Sequence, residues 1–379
     1  MIMKNESRIL KAVAMSKYWI SLSFLLLLPV VAQAQKEYSI EQVSAINVGD
    51  GRILFRDLTT ESPLNGDRRI IDGYHSAYIR AEFKDGFYNG KYEEYEYGKL
   101  LCEGAYKEGR KNGVFKTYDS EGRVKEEKSY KDAKLDGAHR TYYTTGRIER
   151  EVNYSNGKQD GKELAYDPDG TLRRDHTYKD GKQVGKQFTF LKGTYELYET
   201  EYYDEYGRKD GDYSSIFTFG LPHVLGHYKN GLKDGRWIEF AGSGDTLTVQ
   251  TYAGGKEEGL HISYNRSTGT RNREFYMKAD RKDGLYREYD SNNGELVYEA
   301  TYRYDRLHGK VRRLVTTSRY DYWEVSDYVN GRQSGPFESR YVKNDRIRET
   351  GEYHNGRRVG RWKRYDIDGK LEKEWEETK

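Results

Sequence analysis

The dominant feature of this chain is a phrase that returns twelve times between Phe83 and Trp375. The clearest copy runs from Tyr106 to Tyr130, and the next tyrosine in the same position is Tyr154. A fixed period of about 24 residues is typical of repeat proteins, in which each unit is stable because it stacks on its neighbours. We therefore expect one long array rather than several globular domains, although the chain has 379 residues.

The composition agrees with a folded array only because of this period. Charged residues make up 34% of the chain and the mean hydropathy is -1.04, which would favour disorder if the apolar residues were scattered. The 37 tyrosines instead fall mostly in register with the repeat. A folded chain is therefore favoured over a disordered one.

The N-terminal segment 1–34 has the pattern of a signal peptide. An apolar run spans residues 19–32 and a small-residue site covers residues 32–34, after the basic residues Lys4, Arg8, Lys11 and Lys17. Cleavage is predicted between Ala34 and Gln35. A retained membrane anchor is the alternative, but the run is shorter than the about 20 residues that a span needs. We expect an exported protein that is periplasmic, associated with the outer membrane or secreted.

The charge balance and the cysteine count exclude two classes of protein. Removing residues 1–34 takes four of the 65 basic and one of the 62 acidic side chains, so 61 of each remain. A net charge of zero lacks the basic excess of a nucleic-acid-binding protein, and no nucleic acid partner is expected. The single cysteine, Cys102, cannot form a disulfide within the chain.

Each repeat predicts one β-hairpin. In the clearest copy, residues 114–118 and 124–130 are rich in β-branched and aromatic residues, and the turn-forming segment 119–123 separates them. Asn-Gly or Asp-Gly steps that suit positive φ link one hairpin to the next, at residues 156–157, 180–181, 230–231, 330–331 and 355–356. A phosphate-binding loop would need a following helix, which no pattern in this chain predicts.

The predicted fold class is therefore all-β, as an elongated array of about twelve stacked β-hairpin repeats in a single twisted antiparallel sheet. Residues 35–82 are predicted to form an N-terminal capping segment with a degenerate repeat in 52–82, followed by the array at 83–379. The period breaks at 191–227 and 303–327. We expect loops or insertions there, and irregular binding features if the protein has any.

Alternation of side chains along the strands predicts two different faces. Pairing Tyr118 with Val124 places both, together with Tyr130, on one face, which is expected to be the packed one. The leading column of the opposite face changes from repeat to repeat, and its aromatic members form the candidate interaction surface: Tyr92, Phe115, Tyr213, Trp237, Tyr286, Phe337 and Trp362. The simpler interpretation is that these rings fill gaps in a thin sheet; the sharper one is that they anchor a partner.

The predicted pairing also gives this opposite face acidic neighbours. Phe115 is expected opposite Glu127, and Glu163 opposite Asp175. The second pair brings together like charges, which destabilise a sheet. Either the register shifts at that point or a cation stabilises the pair.

The phrase aromatic-x-Asn/Asp-Gly-Lys/Arg-x-x-Gly-x-aromatic-x-x-Tyr-x-x-x-Gly-Lys/Arg-Leu/Val resembles the MORN repeat, in the variant form found in YwqK-type antitoxins. Residues 353–371 are the copy most similar to it. The resemblance implies a β-hairpin array that contacts proteins or, for MORN proteins generally, phospholipids. An antitoxin role implies a cytoplasmic protein, whereas this chain has an export pattern. The shared positions are turn glycines and aromatics, so the resemblance implies no catalytic residue.

No catalytic, cofactor-binding or metal-binding residue is predicted. His223 and His227 share one strand face but lack an obvious third ligand. The Asp-x-Asp-Gly steps at 167–170 and 366–369 resemble the start of a calcium loop, yet they fall where every repeat has its turn. Glutamates recur with the period, which is typical of a structural charge ladder rather than of a catalytic pair, at positions 103, 127, 151, 274, 299, 349 and 374.

The resulting functional prediction is an exported, non-enzymatic scaffold for protein–protein interaction in the bacterial cell envelope, without a cofactor. The expected partner is an unidentified protein. The alternatives are a module that contacts envelope glycans or phospholipids, an antitoxin-like neutralising protein and, least favoured, a glycan-active enzyme. The oligomeric state stays open, because the aromatic face could be covered by curling or by a second chain.

Overall fold

The structure is a computed structural model that describes residues 37–378. The predicted signal peptide and its cleavage site at Ala34 and Gln35 lie outside the described residues. Apart from the 3-10 helix Ile40–Gln42, the regular structure of the described chain consists of β-strands. No helix within residues 37–378 is long and apolar enough to cross a membrane.

The chain divides into two units, of which the first comprises residues 37–184 and 190–195 and the second residues 185–189 and 196–378. The strands up to residue 183 are β1 (Glu37–Ser39), β2 (Val43–Asn47), β3 (Ile53–Asp57), β4 (Gly66–Asp72), β5 (Ala77–Lys84), β6 (Phe87–Glu96), β7 (Lys99–Lys107), β8 (Arg110–Lys111), β9 (Gly113–Tyr118), β10 (Val124–Lys131), β11 (Lys134–Tyr142), β12 (Ile148–Ser155), β13 (Lys158–Tyr166), β14 (Leu172–Lys179) and β15 (Lys182–Gln183).

The remaining strands are β16 (Gly185–Phe190), β17 (Leu197–Tyr203), β18 (Gly211–Ile216), β19 (Pro222–Lys229), β20 (Leu232–Lys233), β21 (Gly235–Phe240), β22 (Thr246–Ala253), β23 (Lys256–Glu257), β24 (Gly259–Tyr264), β25 (Arg271–Lys278), β26 (Arg281–Tyr289), β27 (Leu296–Arg303), β28 (Arg306–Val315), β29 (Tyr322–Val329), β30 (Arg332–Tyr341), β31 (Ile347–His354), β32 (Arg357–Tyr365) and β33 (Leu371–Glu377). A 31-stranded sheet holds all the strands except β2 and β3, which pair with each other. The pairing is antiparallel apart from β1 with β4. An all-β array of stacked hairpins in one sheet is therefore confirmed.

The predicted hairpin turn is confirmed in the clearest repeat. Val124 pairs with Tyr118 across residues 119–123. The amide of Asp119 donates to the carbonyl of Arg123 at 2.9 Å. The Asp119 carboxylate accepts the amides of Glu121 at 3.0 Å and Arg123 at 2.9 Å. Asp290 and Asp366 cap the turns of their own repeats in the same way.

Most of the turns that link one hairpin to the next have two residues with positive φ, as the Asn-Gly steps predicted. In one of them, φ is 49° at Asn156 and 86° at Gly157, which defines a type I′ turn. The amide of Gly157 also donates to the carbonyl of Leu135 in the preceding turn, at 2.7 Å. Equivalent bonds stack most of the other linking turns, whereas the turn between β17 and β18 closes within itself through the amide of Asp204 and the carbonyl of Arg208, at 2.8 Å.

A β-bulge changes the predicted faces. After Val124 pairs with Tyr118, the next pair is Glu126 with Thr117, so Lys125 is an extra residue on β10. A shift by one residue turns every following side chain to the other face of the sheet. Tyr130 therefore lies on the same face as Phe115, and Tyr118 lies on the opposite face. The prediction that Tyr118 and Tyr130 share one packed face is wrong.

Because of this bulge, and of its equivalent between β13 and β14, the cross-strand pairs differ from the predicted ones. Phe115 lies opposite Lys128 rather than Glu127. Glu163 lies opposite His176, and it is Leu164 that pairs with Asp175. The predicted pair of like charges therefore does not form.

The two segments in which the period breaks are strands for the most part. The first contains β17, β18 and most of β19, and the second contains all of β28 and most of β29. In the second segment, Tyr304 and Asp305 adopt φ of 50° and 64°, in the position that other repeats fill with Asn-Gly. A hairpin is therefore kept in both segments when the turn residues or the turn length change, and the expected irregular binding features stay a prediction.

The N-terminal strands surround a hydrophobic cluster. It includes Val43, Phe55, Leu64 and Ile70, all nearly inaccessible to solvent, and it extends to Phe115 in the repeats. The repeats thus pack against an apolar cluster at this end. The boundary at residue 82 stays a prediction.

Candidate functional site

The predicted interaction surface is buried. Six of its seven aromatic side chains are at most 6% exposed, and Tyr213 is partly buried; the six are Tyr92, Phe115, Trp237, Tyr286, Phe337 and Trp362. We call the sheet face that carries this column the ladder face. The expectation that the column is open to a partner is wrong, because the bulge adds the Tyr130 column to the same face and the two columns cover each other.

The rings of the ladder face contact one another from strand to strand. At the C-terminal end, Trp362 lies 5.3 Å from Phe337 and 6.1 Å from Trp375, measured between ring centroids. A methyl group at Gly351 would overlap the Trp362 ring, so this strand must present bare backbone beneath the indole. Gly104 lies beneath Phe115 and Gly226 beneath Trp237 in the same way. These glycines are required by the close approach of a ring and not by a turn.

A cation covers the outer side of the larger rings. Lys233 Nζ lies 4.3 Å from the Trp237 centroid and the Arg358 guanidinium 4.1 Å from that of Trp362, distances at which a cation and a ring attract each other. The same arrangement is found for Lys111 over Phe115, Lys209 over Tyr213 and Lys282 over Tyr286. Burial lowers the pKa of Lys111.

The spacing between the cation and the ring is a signal in the sequence that the prediction of the surface did not use. In these five pairs the cation stands four residues before the ring that it covers. Where the covered position holds His139, Glu163 or His261, the residue four positions earlier is not basic; it is Leu135, Gln159 and Glu257, respectively. The rule has two exceptions among the seven aromatics, since Tyr88 precedes Tyr92 and Gln333 precedes Phe337 at this spacing.

A carboxylate replaces the aromatic ring in the middle of the first unit. Glu163 is 2% exposed, and its Oε1 lies 3.0 Å from Arg150 Nε and 3.2 Å from an Arg174 guanidinium nitrogen. Burial raises the pKa of this carboxyl, but hydrogen bonds and charges from Arg150 and then from Arg174 outweigh it, and the pKa lies below its usual value. Cations on two neighbouring strands therefore stabilise Glu163.

The opposite face, which we call the charged face, carries tyrosines bonded to glutamates. Hydroxyl groups donate from Tyr118 to Glu103 at 2.7 Å and from Tyr142 to Glu127 at 2.8 Å. Ion pairs cross from strand to strand, with Lys116 to Glu127 at 3.3 Å as one example. The interpretation of the periodic glutamates as a structural charge ladder is confirmed for these residues, whereas Glu349 lies on the ladder face.

Four aliphatic residues interrupt the charged face in the second unit. Leu225 pairs with Ile238, Ile238 with Val249, and Val249 with Ile262, and we call these four the aliphatic row. The next strand restores the charges, since Ile262 pairs with Glu274 and Glu274 with Arg287. Leu225 is 37% exposed, Ile238 and Ile262 are partly buried, and Val249 is 6% exposed. The pairing predicted without a bulge hides this row, because it would place Leu225 and Val249 on the face with the aromatic column.

The candidate metal ligands have structural partners. His227 Nδ1 lies 2.9 Å from Asp212 Oδ1, and the ring of His223 packs on Phe217 at 4.4 Å. Among residues 37–378 there is no group of three or more His, Cys, Asp or Glu side chains that could hold a metal ion. Asp366 Oδ1 accepts the amides of Asp368 at 3.0 Å and Lys370 at 2.8 Å, so the turn interpretation of that step is confirmed.

Comparisons with known proteins identify the repeats but give no function. No curated protein matches the sequence. A chain in the crystal structure titled "Crystal Structure of TcdB2-TccC3-Cdc42" is 10% identical, with 86% of this chain and 22% of that chain covered, and its TM-score of 0.12 is too low to carry an argument. The present chain thus spans less than a quarter of the length of that chain. The family described as MORN repeat variant matches three consecutive segments, at residues 111–132, 135–156 and 159–180. Residues 111–180 are therefore three consecutive repeats of the MORN variant type.

Proposed function

We propose that this chain is an exported, non-enzymatic repeat scaffold that binds a protein partner in the bacterial cell envelope. The matched repeats support a protein-interaction module, and the N-terminal signal pattern supports export. The contact surface is the charged face of the second unit, centred on the exposed Leu225 and the partly exposed Ile238 and Ile262 of the aliphatic row. The aromatic column is excluded from this role by its burial.

This proposal depends on one observation: the aliphatic row interrupts the ion pairs of the charged face. Stable protein interfaces have an apolar centre surrounded by polar and charged residues. The aliphatic row is followed on its C-terminal side by Glu274, Arg287 and Glu299, which form ion pairs of 3.1 and 2.6 Å with one another. An apolar group with such a charged border has the anatomy of an interface centre.

The test replaces the aliphatic row with the chemistry of another repeat. In Leu225→Glu/Ile238→Lys, the two paired residues adopt the pattern of the equivalent pair Glu103–Lys116, which a repeat of this chain already accommodates. Crosslinking and affinity capture from the native envelope should recover one partner with the mature chain and lose it with this variant. The control exchanges the charges of Lys116 and Glu127, an ion pair on the charged face of the first unit, and should retain the partner.

Two further measurements separate this proposal from its rivals. If the variant captures the same partner as the unaltered protein while both melt at the same temperature, the aliphatic row is not the contact surface. Recovery of the chain from the cytoplasm with residues 1–34 intact would contradict export. Flotation with liposomes in the absence of any protein partner would instead favour the phospholipid alternative.

A further inference from the structure

A line of cations runs along one edge of the second unit, at the turns that link successive hairpins. Five consecutive turns contribute seven exposed basic side chains, which we call the basic edge: Lys256, Lys278, Arg281, Arg303, Arg306, Arg332 and Arg357. None of the seven forms an ion pair with another residue in the described part of the chain. The zero net charge of the mature sequence hides this concentration.

Two of these turns place like charges directly opposite each other. Lys278 pairs with Arg281 and Arg303 pairs with Arg306 as the closing residues of two-residue turns. Like charges in directly opposed positions destabilise a sheet. Stability of the hairpins therefore gives no reason for these four cations.

The acidic side chains of the same turns accept hydrogen bonds from backbone amides. Asp280 Oδ1 accepts the amide of Glu257 at 2.7 Å, and Asp305 Oδ1 accepts the amide of Lys282 at 2.8 Å. Glu258 accepts the amide of Ala279 at 2.9 Å. These carboxylates are directed toward the preceding or following turn, so they hold the turns in place while the cations stay exposed.

The spacing of the cations is fixed by the backbone. The amides of Asp280, Asp305, Gly331 and Gly356 donate to carbonyl groups of the preceding turns, at 2.8 to 3.1 Å. Each repeat adds two strands, so successive turns are separated by about 10 Å. The result is a rigid row with one or two cations at each step.

The hairpin turns at the opposite strand ends of the same unit have mixed charges. They contain Arg266, Arg319 and Lys343, but also Asp290, Glu295 and Asp345. An excess of cations over acidic side chains that are free of backbone bonds is therefore a property of the linking turns of this unit and not of its hairpin turns.

We propose that the basic edge binds a linear acidic polysaccharide, in which carboxylate groups recur along the chain. Arginine and lysine bind carboxylates through charge-assisted hydrogen bonds, and arginine does so with two parallel bonds. A regular row of cations matches a polymer with regularly placed anions. Tyr304, which is 52% exposed between Arg303 and Arg306, offers a ring against which a sugar can pack.

Two other polyanions fit the edge less well. Single-stranded nucleic acid needs aromatic platforms for successive bases. Each of the five turns consists of two closing residues and the two residues between them, and these twenty residues include one aromatic ring other than histidine. A membrane surface is held by apolar side chains inserted beside the cations, whereas most of these turn tips are Gly, Asn or Asp. The glycan is therefore the favoured partner. This site is separate from the aliphatic row, and the two can fail independently.

The test measures binding of the mature chain, residues 35–379, to polygalacturonate, neutral dextran, a single-stranded oligothymidylate and vesicles containing phosphatidylglycerol. Polygalacturonate should bind most tightly, and its affinity should fall as salt is added. The variant Lys278→Gln/Arg281→Gln/Arg303→Gln/Arg306→Gln should bind it about tenfold more weakly or worse, since four ionic contacts are removed. Its melting temperature should equal or exceed that of the unaltered chain, because two repulsive pairs are gone.

The matched control removes four exposed cations from the hairpin-turn edge, as Arg266→Gln/Arg319→Gln/Lys343→Gln/Lys370→Gln. It has the same net charge and should retain the affinity for polygalacturonate. Equal losses in both variants would overturn the proposal, because net charge alone would then explain binding. Tighter binding of oligothymidylate or of vesicles, or a lower melting temperature of the basic-edge variant, would also overturn it.

Discussion

Trp362 and Glu163 occupy the same position in two different repeats, and both are buried. Trp362 is 0% exposed between Phe337 and Trp375 and lies beneath Arg358. Glu163 is 2% exposed and bound by two arginines. This position is therefore defined by burial against the adjoining strands and not by hydrophobicity. The side chain at this position in each repeat must fit the side chains of the neighbouring strands.

The two sites also gain their stability in different ways. The indole contributes through apolar burial and ring contacts, which favour folding directly. The carboxylate must first lose its hydration, and its two arginines then offset that cost. We therefore expect the aromatic site to respond to changes in volume and the carboxylate site to respond to pH.

The largest effect is expected from Trp362→Ala. Loss of the buried indole and the cavity that remains should lower the free energy of unfolding by about 3–5 kcal/mol. Urea unfolding of the mature chain, followed by circular dichroism, measures the change. Leu371→Ala, at a side chain that is 46% exposed, is the control and should change stability by less than about 0.5 kcal/mol. If the two variants unfold alike, Trp362 is not a core residue.

Gly351→Ala tests the bare backbone beneath the same ring. The added methyl would overlap the Trp362 indole, and such overpacking costs about 1–3 kcal/mol. Gly73→Ala is the matched control, since nothing lies within 4 Å of a methyl at Gly73 and its φ is not positive. A melting temperature unchanged by Gly351→Ala would show that the ring can move aside.

Glu163→Gln tests the polar half of the comparison. Removing the charge leaves Arg150 and Arg174 without their anion, and about 1–3 kcal/mol of stability should be lost at pH 7. Because the folded pKa of Glu163 is lowered, its contribution is complete above the unfolded pKa of about 4.3 and disappears as the pH falls through the folded pKa.

Unfolding of Glu163→Gln and of the unaltered chain should therefore be compared from pH 7 to pH 3. The difference between them should shrink as the pH falls below about 4. Glu352→Gln, at an exposed carboxylate, should show no such dependence. A difference that is the same at every pH would mean that the ionised form of Glu163 is not what stabilises the repeat.

The smallest effect is expected from the cation over Trp237. Lys233→Gln removes an ammonium 4.3 Å from the ring and should cost about 0.5–1 kcal/mol, whereas Lys233→Arg should retain most of the stability. Lys229→Gln, at an exposed lysine in the same linking turn, controls for the loss of charge. Equal melting temperatures for Lys233→Gln and Lys229→Gln would show that the contact of the Lys233 ammonium with the Trp237 ring does not stabilise the protein.

The hairpins and their turns could be predicted because each depends on local chemistry. Asn156 and Gly157 have the positive φ that their residue types favour, and Asp119 caps the turn that its position suggested. The assignment of faces could not be predicted, since it depends on one extra residue, Lys125. The bulge lies among Lys125, Glu126 and Glu127, and three polar residues in a row carry no signal that would reveal which of them is unpaired.

The same shift decided the outcome for the candidate site. Seven aromatics were expected at the surface, and the bulge places them with the tyrosine column that covers them. For five of the seven, a cation four residues earlier is a sign of burial, but this spacing gains its meaning only from the contacts of Lys233 and Arg358 with their rings. The aliphatic row and the basic edge depend on register and on the absence of ion pairs, which no single-residue pattern records.

The hydrogen bonds between linking turns bear on how such a chain acquires its structure. The amide of Gly157 donates to the carbonyl of Leu135, and the amide of Gly181 donates to the carbonyl of Gln159. Each of these bonds can therefore form as soon as one further repeat has been added. Contacts of this short sequence separation form quickly, and a stacked array propagates from any folded end. A chain that is synthesised with its N-terminus first can therefore fold repeat by repeat onto the apolar cluster of Val43 and Phe55, before its C-terminal half is complete.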